Sequence, residues 1–321
     1  MAPQVGICFD PGYPAAAVVD YARRVERAGI DQLWVIEDCF RTAGVSLAAA
    51  ALAVTSRLHV GFGILPAVAR NAAITAMELA TLAELAGGRV IAGIGHGVQD
   101  WMGQMGARPT SPLTTLEEVV VAVRRLLAGE EVTCHGAHVV LERVALDPPP
   151  TIPPPVLVGA QQPRSLALAG RVADGVVLVG GSGPTHVRTC LRHAGAGDEF
   201  RTVAFASLCV LPERERAHRA MAPFVEELLR RSAPCVADHP EVDGIRERYA
   251  TGGLDGLGTM PSAWWAEIGP IGTFADAVSF TESIVDAGVS DVAFFPGPEL
   301  ELGLADIDVV EQLAAAVRSG R

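Results

Sequence analysis

Three short polar stretches hold the residue types that could do chemistry in this chain. Gly95-His96-Gly97-Val98-Gln99-Asp100-Trp101 sets one imidazole between two glycines, followed by an amide, an acid and an indole. A histidine so placed can move a proton or hold a ligand, and it can equally be a hydrogen-bonded structural residue. Glu37-Asp38-Cys39-Phe40-Arg41 groups two acids, a thiol and a guanidinium. Neighbouring acids raise a thiol pKa, so Cys39 reads as a packing or cofactor contact rather than a thiolate nucleophile. Gln161-Gln162-Pro163-Arg164-Ser165 opens a helix-like segment. A helix start with Arg and Ser in its first turn can take a phosphate, and Arg164 and Ser165 read as well as a solvated side chain and a cap. No Ser-His-Asp layout and no isolated carboxylate pair stands among them.

Each stretch follows a short apolar run, so the elements that position them are strand ends. Gln4–Asp10, Gln32–Asp38, Leu58–Leu65 and Val90–Gly95 read as strands, separated by helical patterns at Pro14–Ala28, Val45–Thr55 and Asn71–Leu85. Asn71 is placed to cap the last of these. The cadence continues with helix Thr115–Leu127, strands Pro154–Gly159, Gly175–Val179 and Thr202–Val210, helices Pro163–Gly170 and Thr185–His193, strand Asp291–Phe295 and a closing helix near Ile307–Val317. Eight alternating units fit an α/β fold of the (β/α)8 TIM barrel type, with an open doubly wound sheet as the alternative. Polar residues at the carboxyl ends of the strands would then share one mouth.

Two regions break the cadence. Glu131–Val144 reads as a hairpin turning at Gly136, and a proline tract leads from it into the fifth strand. Residues of about 212–272 form an insertion between strands seven and eight, with a charged helix over Glu213–Arg231, an amphipathic piece near Val242–Tyr249 and a glycine-rich loop at Thr251–Gly258. That loop has no lysine and is not a phosphate-cradling P-loop. The chain reads as one domain over residues 1–321.

Composition narrows the class. The 321 residues are half hydrophobic and carry a net charge of −12, with no basic stripe, which argues against nucleic acid as a partner. The six cysteines lack CxxC spacing. Cys134-His135 with His138 is the one metal-like cluster, and it falls in the hairpin, so no metal is expected. No apolar run reaches the ~18 residues of a membrane span. A cytoplasmic enzyme with a small-molecule or peptide-derived substrate is the expectation.

The series Leu33-Trp34-Val35-Ile36-Glu37-Asp38, His59-Val60-Gly61-Phe62-Gly63-Ile64 and Glu84-Leu85-Ala86-Gly87-Gly88-Arg89-Val90-Ile91-Ala92-Gly93-Ile94-Gly95 resembles the bacterial luciferase-like superfamily. Within it the chain is similar to the deazaflavin (F420)-dependent branch that includes methylenetetrahydromethanopterin reductase. Pro155–Ala160 and Ala169–Val176 match the superfamily's fifth and sixth strands. The resemblance implies a homodimer and a non-prolyl cis peptide at Gly63-Ile64 under the cofactor ring. It also implies cofactor contacts from Asp38 and Cys39, from His96, Gly97 and Val98, and from Gln161, Gln162 and Arg164.

Departures from the pattern of the branch's sugar-phosphate dehydrogenases point away from sugar-phosphate oxidation. An Asp-His pair is Asp38-Cys39 here, a Thr-Gly-Glu is His96-Gly97-Val98, and a phosphate-end Gly-Gly is Gln161-Gln162. Valine cannot do the glutamate's proton transfer. The resulting expectation is a reductase that uses reduced F420 to deliver a hydride to a C=C or C=N bond, in specialised metabolism, with His96 or Asp100 supplying the proton. Tyr13, Arg41, Arg70, Trp101, Trp264 and Trp265 are the substrate-lining candidates. An FMN-dependent monooxygenase on the same fold and a non-catalytic cofactor-binding barrel are the alternatives.

Overall fold

The computed structural model describes residues 3–319. Eight strands run in parallel: β1 (Gln4–Phe9), β2 (Gln32–Val35), β3 (His59–Phe62), β4 (Val90–Gly95), β5 (Val156–Gly159), β6 (Gly175–Leu178), β7 (Arg201–Ser207) and β8 (Asp291–Phe295). Each pairs with its sequence neighbours, β8 pairs with β1, and β3–β4 pairing (Val60 with Val90) completes the ring. The barrel expected from the alternation is therefore closed, and the open-sheet alternative does not hold.

Both faces of a barrel strand are covered, which is why these runs are apolar throughout rather than alternating. Outward residues pack on the surrounding helices. Inward residues form a separate core of Cys8, Trp34, Ile36, Ile91, Leu157, Val177, Val203, Phe205 and Ala293. Strand β3 contributes no bulk to it. A Cβ on Gly61 would lie 2.5 Å from the Trp34 ring, and one on Gly63 would lie 2.3 Å from Phe205. Two large rings from β2 and β7 thus fill the space that β3 leaves. At the floor, Trp34 Nε1 donates to Gln32 Oε1 at 2.9 Å, Gln32 donates to Asp291, and Arg201 pairs with Asp291 at 2.5 Å. The buried polar groups are satisfied by one another.

The helices follow the sequence reading closely. Asn71 Oδ1 accepts from Ala73 N at the start of helix Ala72–Ala86, which ends at left-handed Gly87. Helix Phe274–Asp286 is one the sequence reading lacked. Its signal was there, a capping box in which Thr273 and Asp276 satisfy each other's backbone.

The insertion is a helical subdomain with its own core around Ala217, Val225, Ile245, Leu257 and Trp265. Helices Arg214–Arg230 and Val242–Gly258 pack together in it. The expected glycine-rich loop at Thr251–Gly258 is a correction, because these residues continue the second helix through a break at Gly253 (φ 55°, ψ −137°). Two of the four glycines in this stretch serve close packing. A Cβ on Gly256 would sit 2.1 Å from the Arg248 carbonyl, and one on Gly258 would sit 2.9 Å from the Arg219 side chain. The hairpin is present as Val132–His135 with Val140–Val144, where exposed His135 lies 3.5 Å from Glu142. No helix among the described residues is long and apolar enough to cross a membrane.

Candidate active site at the barrel mouth

A cavity of about 600 Å³ opens at the carboxyl ends of the strands. Ile36, Ile64, Val177, Val179, Phe205 and Phe295 make its apolar walls. Phe205 stacks edge-on against both Trp34 and Phe295, at 5.3 and 5.5 Å between ring centres. The Gly63–Ile64 peptide is cis, as is Cys39–Phe40. Ile64 then lies across the ends of β4 and β5, where only glycine fits. Cβ atoms on Gly95 and Gly159 would come within 2.9 and 2.8 Å of it. These glycines of β4 and β5 therefore give Ile64 room to form one flat wall of a slot.

Four ionisable side chains line this slot: Glu37, Asp38, His96 and Arg231. Glu37 is locked. It takes both arms of Arg70 at 2.5 and 2.7 Å, and its Oε2 also accepts from Gly44 N at 2.9 Å, at the start of helix Gly44–Ala53. Arg70 reaches on to Glu78 at 3.1 Å, whose carboxyl is pushed up mainly by burial. Asp38, half-buried, is likewise pushed up by burial; Arg41 opposes the shift and Asp10 adds to it. Burial pushes the Cys39 thiol up as well, with Glu37 and Asp38 adding, so it is not a resting thiolate.

His96 stands at the end of β4, half-buried. Its Nε2 lies 2.8 Å from Ser165 Oγ, and its buried Nδ1 turns towards the Pro112 carbonyl without forming a good hydrogen bond. Burial holds its pKa below the usual histidine value. A neutral ring with its proton on Nδ1 suits both neighbours, because Nε2 can then accept from the Ser165 hydroxyl. Ser165 sits in the first turn of helix Pro163–Val172, whose leading N–H groups have no partner within the helix.

The structure gathers Asp38, Gly63, Ile64, His96, Gly97, Val98, Trp101, Gln161 and Gln162 on this cavity, and places the other residues singled out in the sequence elsewhere. Cys39 is half-buried just beyond the lining. Asp100 is 87% exposed in its side chain and pairs with Arg108 at 3.3 Å, which takes it out of the slot. Arg164 is exposed and does not line the cavity. Tyr13 is core: it packs on Phe9 and donates to the Gly297 carbonyl at 2.5 Å. Arg41 is exposed against Gly12, and Arg70 is spent on two carboxylates. Trp265 is the buried centre of the insertion, stacked 4.7 Å from His218, and Trp264 lies under Arg248 and against Gly244. Neither tryptophan reaches the mouth. Sequence reasoning missed Arg231, which the insertion brings over the cavity from outside the barrel's own cadence. It also missed Phe205, Phe295 and Val177, which counting every second residue along β6–β8 could have found.

Comparison with known proteins places this geometry. The model of the luciferase-like monooxygenase family matches residues 5–291. The chain is 30% identical over 305 residues to the 5,10-methylenetetrahydromethanopterin reductase of Methanolobus tindarius, covering 89% of this chain and 92% of that protein. It is 30% identical over 221 residues to an F420-dependent glucose-6-phosphate dehydrogenase of Beutenbergia cavernae, covering 62% of this chain and 66% of that one. In fold it matches the coenzyme F420-dependent tetrahydromethanopterin reductase of Methanopyrus kandleri, with a TM-score of 0.76 at 22% identity over 97% of this chain and 98% of that one.

Proposed function

This chain belongs to the luciferase-like monooxygenase family, and from that premise we propose that it is an oxidoreductase of the reductase kind, with coenzyme F420 as its cofactor. The slot fits the group. A flat ring would rest on Gly63–Ile64 between apolar walls, and Gln161, Gln162 and Arg231 supply donors at one end for its anionic tail. When bound, reduced F420 supplies a hydride from its ring carbon C5. The substrate is an electron-poor C=C or C=N compound, a small molecule or one derived from a peptide.

The chain's own residues orient and shield. Phe205 and Phe295 keep water from the floor of the slot. His96 fixes Ser165 at the donor end. Trp101 and Val98 edge the opening where substrate would enter. One observation carries the choice of reductase over sugar-phosphate dehydrogenase. Residue 98, where resemblance calls for a glutamate, is a valine, 46% exposed at the rim, and Asp100 beyond it points into solvent. The family model's own description favours a second reading, an FMN-dependent monooxygenase.

A homodimer is part of the proposal. Ile74, Met77 and Leu85 lie 44%, 50% and 76% exposed along one face of helix Ala72–Ala86. Such a stripe suits a second copy of the same helix. The functional test is anaerobic turnover: reduced F420 is mixed with a panel of enones, imines and sugar phosphates, and its oxidation is followed by absorbance. Oxidation by unsaturated compounds and none by sugar phosphates is expected. Oxygen-dependent hydroxylation with reduced FMN would replace this reading with the second.

A further inference from the structure

Reduction of a neutral C=C or C=N bond needs a proton as well as a hydride, and the mouth holds few groups able to give one. Arg231 cannot, because a guanidinium does not deprotonate in proteins. Both oxygens of Glu37 are already taken, by the two arms of Arg70 and by Gly44 N. His96 is neutral by burial, with one nitrogen turned to the Pro112 carbonyl and the other engaged by Ser165. Asp100 is outside the slot on Arg108. Asp38 is what remains. It lines the cavity two residues past Ile36 on the inner face of the barrel, and its carboxyl accepts no hydrogen bond from the described residues. An acid that is half-buried and unheld is one that can keep its proton and then release it.

We propose that Asp38 is the catalytic acid of this site. The inference rests on the reductase reading. The hydride forms a new C–H bond at one end of the substrate's double bond. The π electrons move to the other end, or through conjugation to its oxygen, and that atom takes the proton of the Asp38 carboxyl. The substrate gains two electrons, the cofactor loses them, and the Asp38 carboxylate regains a proton from water through the mouth. The charged groups facing Asp38 are Arg41 on its own loop and Asp10 at the end of β1, and they act in opposite directions. Burial outweighs Arg41 and moves the carboxyl above the ordinary aspartate range.

Two measurements test this on the full-length protein. The first is a ¹³C NMR titration of the cofactor-free protein labelled at aspartate carboxyls, with Asp38→Asn used to assign the signal. Asp38 should titrate above the ordinary aspartate value of ~3.9. Titration at or below that value overturns the proposal, whatever the turnover. The second compares two substrates in the presence of reduced F420. 2-Cyclohexen-1-one needs a proton to complete its reduction, and 1,2-dimethyl-1-pyrrolinium, an iminium, does not. Asp38→Asn should slow the enone by ~100-fold or more, as loss of a general acid does, and leave the iminium within about threefold. Equal losses on both would make Asp38 a binding residue, and no loss on either would make it a bystander. Both results refute the proposal. If the wild-type protein does not bind reduced F420, the functional reading itself falls and takes the proposal with it. If it binds and reduces neither probe, the NMR titration decides.

Discussion

Replacing Arg70 with alanine tests the least obvious part of the site. Its guanidinium holds Glu37 by two contacts, at 2.5 and 2.7 Å, and Glu78 by a third at 3.1 Å. The Arg70 and Glu37 side chains are only 19% and 10% exposed. Removing one partner of such a pair leaves a carboxylate without compensation, at a cost of about 3 kcal/mol, the lower end for buried pairs. For a chain of this length that is a fall in Tm of roughly 4 °C. The sign of the pH dependence follows from what is left. Glu37 and Glu78 would face each other without a cation, so the variant gains most by protonating one of them. Its deficit should therefore be greater near pH ~8 than near pH ~5, because the Glu78 carboxyl is already pushed above its usual value and loses its cation in the variant. Glu37→Gln in the same background should recover most of the loss. Urea unfolding at both pH values is the assay. A cost under ~1 kcal/mol, or one that does not change with pH, would refute the ion-pair account of Arg70. So would a double variant no more stable than the single one.

Three further perturbations test other parts of the account. Gly95→Ala puts a methyl 2.9 Å from Ile64 and should push that side chain into the slot, weakening binding of reduced F420 at least tenfold in a fluorescence titration; unchanged affinity would mean the slot is not where the ring lies. His96 is kept neutral in the folded protein, so below the unfolded value of ~6.5 the unfolded chain binds more protons, and stability falls as pH drops towards ~5. His59 and His218 add to the same slope, and His96→Asn should flatten it in urea midpoints measured across that range; a slope left unchanged would show that His96 titrates freely. Met77→Glu with Leu85→Glu charges the exposed stripe of helix Ala72–Ala86 and should yield monomers in sedimentation velocity, whereas a dimer that persists would place the interface elsewhere.

The barrel was legible because its strands repeat a simple constraint: apolar on both faces, then a turn, then a helix. Even the breaks in that pattern had reasons. Gly61 and Gly63 weaken β3 as a sequence signal, and the structure shows them yielding space to Trp34 and Phe205. Legibility stopped where a residue's meaning depends on a distant partner. Tyr13 follows a strand end and so reads as a mouth residue, but its hydroxyl has a carbonyl partner 284 positions away. Arg70 reads as a free cation until Glu37 and Glu78 are seen on either side of it. Trp264 and Trp265 lie in an insertion whose core cannot be told from a lid without its packing. Arg231 gave no signal, since nothing in a charged helix end says which cavity it overhangs. The glycines of Thr251–Gly258 read as a loop by propensity, and tertiary contact with Arg248 and Arg219 overrode it.

The central claim is that this slot is built for reduced F420. Anaerobic titration of the purified protein with reduced F420 and, separately, with reduced FMN tests it directly, with binding followed by quenching of tryptophan fluorescence, Trp101 lining the slot. The account predicts saturable binding of reduced F420 that an excess of reduced FMN does not displace. Tight binding of reduced FMN with no retention of reduced F420 would contradict it.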